Sequence, residues 1–447
     1  MVTTARDGGA LTAEELHAFE RIEADALSKL AAAVSRPTPP ALPWAEKIFT
    51  VGVTGTNGKT STTHLVAAML RAAGHGVLTE STVGYFLNEQ PLDVERSTRG
   101  YLSAMKQAVD AGALHSASEV TSAALARGFA RVWRYDLGVF TNLTRDHVAE
   151  HGSWEHYLAS KAQLFVHLGP GATAVLNAAD PAALLIDQVT PADVQRRFFA
   201  VPSRGAPLCA AHLSATEVEV SPEGTRVKLA PSAVAEQLGG ELRTGFIGEV
   251  FAENLLAAAL AGLSIPVSPD AVRRGATEVR PVPGRFQLVS REPLVAVDFA
   301  HTPDALARTA DTARALAGGH RVIFVFGAGG DKDKPKREPM GRAAGERADY
   351  VVVTSDNPRH EDPGAIAAAL ANGARRGGRA HVRIELDRAR AIRQAIDLAR
   401  PGDVVVISGK GHETGQTIGE VTTPFSDAEQ VLTALGRLAV SGRLQPE

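Results

Sequence analysis

The chain has 447 residues, 44% hydrophobic and 22% charged, with a formal net charge of -3; this length exceeds one core and suits about two to four globular domains. Near-neutral charge argues against a nucleic-acid binder, which carries a basic stripe, and the single cysteine, Cys209, excludes a disulfide framework or a cysteine-rich zinc site. No apolar run approaches the ~20 residues that span a bilayer, and the start MVTTARDGGALTAEEL lacks the basic and apolar regions of a signal peptide. A cytoplasmic enzyme with no nucleic-acid or membrane partner is expected; the oligomeric state is not legible.

Thr12 and Glu15 have capping-box spacing, and Leu16, Phe19, Ile22, Leu27, Leu30 and Val34 follow at helical intervals. Prolines at 37, 39, 40 and 43 break that helix. Residues 1–45 therefore read as a helix and tether. From Ile48, strands and helices alternate: FTVGVTG, a helix over Thr60–Ala73 ending at Gly74, then the strands YDLGVFTNL and ATAVLNAAD. This predicts a mainly parallel sheet flanked by helices. Between 205 and 245 the pattern shifts to short alternating strands turning at SPEG, followed by the helical AENLLAAALAGL. PVPGRF marks a boundary, giving a central α/β domain over 46–284 and a second doubly wound α/β domain over 285–447. The strands of the latter, LVAVDFA, RVIFVFGAGG, YVVVTSDNP and DVVVISGKG, end in polar or glycine-rich loops, the expected place for a site.

The run IFTVGVTGTNGKTSTT places Gly55, Thr56, Asn57, Gly58, Lys59, Thr60 and Ser61 between a strand and a helix. Val53 stands where the full phosphate-loop pattern has its first glycine. The physics survives: backbone N–H groups and a helix N-terminus attract phosphate, Lys59 adds charge and Thr60 can hold Mg²⁺. The bland alternative is an ordinary strand-to-helix turn. GAGGDKDKPKR fails the dinucleotide fingerprint because Lys332 replaces its last glycine, leaving a solvated loop as the alternative. Glu119, Asp146, His147 and His151 are candidates for a divalent cation, against a reading as surface polar residues. Lys161 alone would be a solvated helix residue. In SDNPRHED, Arg359 could clamp a carboxylate or pair with Glu361 or Asp362. GKGHE offers backbone groups, Lys410, His412 and Glu413, or merely a turn.

In this order, TGTNGKTST, TNLTRDHxxxHG, VPGRF, DFAHTPDAL, GGDKDKPKR, TSDNPRxEDP and GKGHE resemble the Mur ligase family of ATP-dependent acid–amino acid ligases, over about Phe49 to Ser426. The nearest likeness is to the branch that adds meso-diaminopimelate to UDP-N-acetylmuramoyl-dipeptide. The resemblance implies a P-loop ATPase domain, a Rossmann-like C-terminal domain, and a reaction through an acyl phosphate. It implies ATP and Mg²⁺ at Lys59 and Thr60, metal contacts from Glu119 and His147, and a carbamylated Lys161 acting in catalysis and on the metal. Asn254, Arg285 and Asp298 match nucleotide-facing positions, and His301 a catalytic one. Arg337, Asp356, Asn357, Arg359, Gly409 and Glu413 match amino-acid-binding positions, with DNPR the form associated with diaminopimelate.

Three residues depart from the family pattern: Ala123 where many members have His, Phe299 for Tyr, and Gln287 for Glu. The short stretch before the phosphate loop differs from members that bind the UDP-sugar through a whole N-terminal domain. The expectation is therefore a diaminopimelate-adding ligase whose carboxylate acceptor is not UDP-linked. The alternatives are a UDP-N-acetylmuramoyl-peptide ligase with a reduced N-terminus, and an ATP-binding switch without ligation.

Overall fold

A computed structural model describes residues 42–144, 151–202 and 205–436. The helix and tether expected before residue 42, and Asp146 and His147, lie outside the described residues. The chain divides into two compact units. The first runs through Val218 and takes in Arg226–Thr244 and Phe251–Val279; the second comprises Glu219–Thr225, Gly245–Val250 and the chain from Arg280 onward.

The first unit is built on β1 (Phe49–Thr54), β2 (Val77–Ser81), β3 (Gly84–Leu87), β4 (Gln90–Leu92), β5 (His115–Glu119), β6 (Leu137–Phe140), β7 (Thr173–Asn177) and β8 (Gln195–Ala200). With β9 (Leu213–Ser221), β10 (Gly224–Leu229) and β11 (Glu241–Thr244) they form an 11-stranded sheet ordered β11-β10-β9-β8-β7-β6-β1-β5-β2-β3-β4. β1 pairs in parallel with β5 and β6, so the loops leaving those three strands meet at one edge. Buried, β-branched sequences such as FTVGVT suit strands with both faces covered. The helix Val250–Ser264 is buried along nearly its whole length, as a sequence apolar apart from Glu253, Asn254 and Ser264 favours. The antiparallel meander β2–β3–β4 is absent from the sequence reading. Its turn, Asn88-Glu89, has no glycine, yet both residues take positive φ, 48° and 70°, so the usual hairpin signal is missing.

The second unit carries β12 (Gln287–Arg291), β13 (Leu294–Asp298), β14 (Val322–Phe326), β15 (Tyr350–Val353), β16 (His381–Ile384) and β17 (Val404–Ser408) in the order β12-β13-β17-β14-β15-β16. Only the edge strand β12 runs antiparallel. Four strand ends, those of β13, β17, β14 and β15, thus deliver the DFAHTP, GKGHE, GAGG and SDNPR segments to one edge. A small hairpin, β18 (Gly415–Ile418) with β19 (Val421–Pro424), joins Arg359 through a bridge to Ile418.

Beneath those loops lies a fully buried ion pair. Arg388, first residue of the helix Arg388–Leu398, meets Asp427, first residue of the helix Asp427–Ala434, through two bonds of 2.7 Å. The same guanidinium donates to the Ser355 carbonyl at 3.2 Å and the Ser408 carbonyl at 2.9 Å. It therefore clasps the chain just before Asp356 and just before Gly409. Burial works against its positive charge, and the Asp427 carboxylate more than compensates, so the group stays protonated. Removing one partner of such a pair leaves a buried unpaired charge, a loss of about 3–5 kcal/mol. Asp427→Asn is expected to lower the urea midpoint of the second unit's unfolding markedly; an unchanged midpoint would contradict this role.

Candidate functional site

In the first unit the loop after β1 closes on the helix Lys59–Ala72, whose N-cap is Gly58 in the left-handed region, φ 86°. Helices beginning after Ser97, Ser153, Asp180, Thr302 and Asp362 have their first turn bonded by the capping side chain. The helix after Gly58 has no side-chain cap, so its leading N–H groups face the loop, the arrangement that receives phosphate. A Cβ on Gly58 would overlap the Asn254 side-chain oxygen. The loop is braced from β6: Asn142 accepts from Asn57 N at 3.0 Å and Thr141 Oγ1 donates to the Asn57 carbonyl at 2.7 Å. Thr56 Oγ1 lies 3.1 Å from the Tyr157 hydroxyl.

Glu119 ends β5 beside Val53 of β1. Its Oε2 accepts from Thr60 Oγ1 at 2.8 Å and from Thr82 through Oγ1 at 2.8 Å and N at 3.1 Å. Lys59 Nζ lies 3.8 Å from its Oε1 and donates to the Thr56 carbonyl at 2.9 Å. The sequence-predicted Lys59, Thr60 and Glu119 are thus in one place. Among the described residues no group of three or more His, Cys, Asp or Glu could hold a metal. The oxygen set of Glu119 and Thr60 fits a cation like Mg²⁺, which takes few protein ligands and relies on phosphate and water for the rest. His151 instead bonds Ser122 Oγ at 3.0 Å and lies 3.4 Å from Ser160 Oγ.

Lys161 is 1% exposed, its Nζ donating to the Gly55 carbonyl at 2.7 Å and standing 4.4 Å from the Tyr157 ring centroid. The helix Trp154–Val166 turns this residue inward beneath the phosphate loop, so it is not the solvated residue that its own stretch suggests. Sequence reasoning also missed Glu80, on β2. Burial, with the Glu119 charge adding and Arg96 opposing, pushes its carboxyl up to about 8; burial, with the Glu80 charge adding, pushes the Tyr85 hydroxyl up to about 12. A half-buried glutamate on a strand bears no pattern that marks it as desolvated.

In the second unit Asp298 accepts from Phe286 N at 2.7 Å, Ala300 N at 2.9 Å and Thr309 Oγ1 at 3.0 Å. It organises the loop around Phe286, which takes a positive φ of 43°. His301 Nδ1 donates to the Phe299 carbonyl at 2.8 Å, which makes Nε2 the unprotonated nitrogen of the neutral ring. Arg285 lies 4.8 Å from the Phe299 ring centroid, and the His412 ring packs tilted against the same ring, 5.0 Å between centroids.

Asn357 Nδ2 donates to Glu413 Oε2 at 2.8 Å, so the DNPR and GKGHE loops join. Gly409, φ 115°, comes so close to Asp356 that a Cβ would meet its carboxylate. Arg359, φ 50°, keeps an unusual backbone for a bulky residue. It is held by N–H donation to the Thr417 carbonyl at 3.2 Å and by side-chain donation to the Gly330 carbonyl at 2.7 Å. Glu361 pairs not with Arg359 but with Arg337, through bonds of 3.0 and 2.9 Å that hold the carboxyl down to about 2. Arg337 is 6% exposed, and its buried Nε has no hydrogen-bond partner among the described residues.

Residues 53–262 match the Mur ligase middle domain and residues 284–411 the Mur ligase, glutamate ligase domain. The UDP-N-acetylmuramoyl-L-alanyl-D-glutamate--2,6-diaminopimelate ligase of Solibacter usitatus is 39% identical over 401 residues, 88% of this chain and 78% of that protein. The enzyme of the same name from Aquifex aeolicus is 36% identical over 396 residues, 88% of this chain and 78% of that protein. A solved structure bearing that name superposes with a TM-score of 0.60 at 30% identity, covering 87% of this chain and 78% of that one. A Mycobacterium tuberculosis folylpolyglutamate synthase complexed with ADP and AMPPCP shares the fold, with a TM-score of 0.63 at 22% identity over 93% of this chain and 99% of that one.

A P-loop α/β domain followed by a Rossmann-like α/β domain is the architecture of an ATP-dependent ligase. The chain belongs to the Mur ligase family, whose members form amide bonds with ATP and Mg²⁺, and it is an ATP-dependent carbon–nitrogen ligase. Among the described residues no helix is long and apolar enough to cross a membrane.

Two outcomes follow from this geometry. Gly58→Ala forces a Cβ into the Asn254 side chain at a left-handed position, and is expected to weaken ATP binding at least ~10-fold, about 1.4 kcal/mol, read by titration of the purified protein; unchanged affinity would contradict the cradle. Because the fold favours protonated Glu80, its contribution is complete below the ordinary carboxylate value of 4.5 and is lost as pH rises through about 8. Glu80→Gln should therefore match the parent in Tm near pH 4 and exceed it near pH 9; parallel profiles would contradict the burial effect.

Proposed function

We propose that this chain joins the carboxylate of a UDP-N-acetylmuramoyl-dipeptide to an amino group of a diaminopimelate-like amino acid, while ATP is split to ADP and phosphate. What carries the reading is the Arg359, Asn357 and Glu413 cluster at the second unit's strand ends, in a chain 39% identical to a ligase named for that acceptor and that amino acid. The earlier expectation of an acceptor that is not UDP-linked rested on the short stretch before the phosphate loop. Relatives between 34% and 39% identical bear UDP-linked names, and that support outweighs it.

In this reading residues 46–284 hold ATP and residues 285–447 hold the amino acid. The loop Gly55, Thr56, Asn57 and Gly58, with Lys59 and Ser61 at the helix start, is assigned to the phosphates. Thr56 N and Asn57 N are spent on Asn142, so Lys59 and the leading N–H groups of the helix make the contacts; Asn254, Arg285 and Asp298 are assigned to the nucleotide. The acceptor carboxylate attacks the γ-phosphorus, ADP leaves, and an acyl phosphate forms. The amine then attacks the acyl carbon, and phosphate departs with the oxygen that came from the acceptor. His301, its tautomer set by the Phe299 carbonyl, is assigned to this second half. Bound Mg²⁺, held through Thr60, Glu119 and His147, would offset the phosphate charge.

Lys161 is assigned as carbamylated. Carbon dioxide would convert the amine, with loss of a proton, to an anion suited to a cation-bearing phosphate site. Arg359 and Arg337 are assigned to the amino acid's distal carboxylate, and Asp356, Asn357, Gly409 and Glu413 to the remainder of that molecule.

Phosphate release across a matrix of acceptors and amino acids tests the reaction. Turnover is expected only with UDP-N-acetylmuramoyl-dipeptide and meso-diaminopimelate together; release indifferent to both would favour a nucleotide switch. Lys161→Ala should lose at least ~100-fold in kcat, about 2.7 kcal/mol, and regain part of it with formate or acetate. Full activity without rescue would rule out the carbamate. Arg359→Ala should raise the KM for meso-diaminopimelate ~10–100-fold, a charged hydrogen bond being worth about 1.5–3 kcal/mol, with the KM for ATP little changed.

A further inference from the structure

The GKGHE loop contains a cation that the assignments above leave unused. Lys410 is 0% exposed, although lysine is almost never fully buried unless paired. Its Nζ donates to Asn357 Oδ1 at 2.9 Å and to Glu413 Oε2 at 3.1 Å, and lies 3.8 Å from Asp356 Oδ1. Three oxygens of the two loops are therefore gathered by one ammonium, which has three hydrogens to give.

The consequence for Asn357 is specific. Its Oδ1 accepts from both Lys410 Nζ and Thr417 N, the latter at 3.0 Å. Turning the amide over would set its NH₂ against two donors, so Nδ2 must face Glu413. Glu413 Oε2 is in turn occupied by Asn357 Nδ2 and Lys410. That leaves Oε1 of a 36% exposed side chain as the oxygen not engaged by this pair. Lys410 also sets its positive charge among the carboxylates of Asp356 and Glu413, which would otherwise repel each other across the loops.

We infer that Lys410 is a positioning residue for the amino-acid site: it fixes the Asn357 amide and aims Glu413 at the ammonium group of the incoming amino acid. The flanking Gly409 and Gly411, at φ 115° and 55°, let the chain turn the long side chain inward between the loops. The inference rests on the assignment of Asn357 and Glu413 to the amino acid.

The test is binding of meso-diaminopimelate and, separately, of ATP to Lys410→Met, Lys410→Gln and Glu413→Gln, each checked for a native thermal transition. Lys410→Met should weaken meso-diaminopimelate at least ~10-fold, the worth of a charge-assisted contact, and leave ATP within about 2-fold, a change under 0.5 kcal/mol. Lys410→Gln keeps a donor for Asn357 and should fall between the parent and Lys410→Met; should Lys410→Met fail to fold, Lys410→Gln carries the test. Parental affinity for meso-diaminopimelate in the folded lysine variants, with Glu413→Gln weakened, would overturn the positioning role alone. Parental affinity in Glu413→Gln would overturn the assignment of the site and this inference with it. Equal weakening of ATP and amino acid would mark Lys410 as a general structural residue and also overturn it.

Discussion

A parallel strand that ends at the sheet's edge leaves backbone groups with no strand partner, and the loops that carry most of the assigned residues stand where that happens. In the first unit the ends of β1, β5 and β6 bring together Gly58, Glu119 and Thr141. In the second the ends of β13, β17, β14 and β15 do the same for Asp298, Gly409, Gly327 and Asp356. Backbone satisfaction then falls to side chains. Thr141 and Asn142 bond the phosphate loop, Asp298 bonds the loop at Phe286, and the Arg388–Asp427 pair clasps Ser355 and Ser408 from below. Rigid loops are the product of that satisfaction, and rigid loops are what charge-directed chemistry needs.

Much of this was legible because strand-to-loop transitions write themselves into sequence: runs such as VIFVF and VVVIS stop abruptly at glycine or polar residues. The ligand-bearing stretches were visible for the same reason. Pairings across the chain were not. SDNPRHED offers Glu361 or Asp362 as a local partner for Arg359, whereas the loop from β14 carries Arg337 to Glu361 and leaves Arg359 on the Gly330 carbonyl. Burial of long cations was equally hidden. Lys161 and Lys410 look like surface residues by type, and only the packing of their neighbours sends them inward. Glu80 and Arg388 went unread for that reason too.

The departures from the family pattern find partial accounts. Gln287, standing for Glu, accepts from Gly284 N at 3.0 Å, a bond that needs an oxygen and no charge. Phe299, standing for Tyr, sits among Arg285, His301 and His412, contacts that need the ring and not a hydroxyl. Ala123 lies in the short helix Ser122–Ala126, and nothing in the structure explains the loss of an imidazole there.

The central claim is that the acceptor carboxylate is activated by direct phosphorylation on this chain and then captured by an amine. Its most direct measurement follows ¹⁸O from the acceptor's carboxylate, using labelled UDP-N-acetylmuramoyl-dipeptide with ATP and meso-diaminopimelate. The account predicts that each amide formed delivers one labelled oxygen into the released phosphate. Phosphate released without label would mean that water, and not the acceptor, attacks ATP, and would contradict the account.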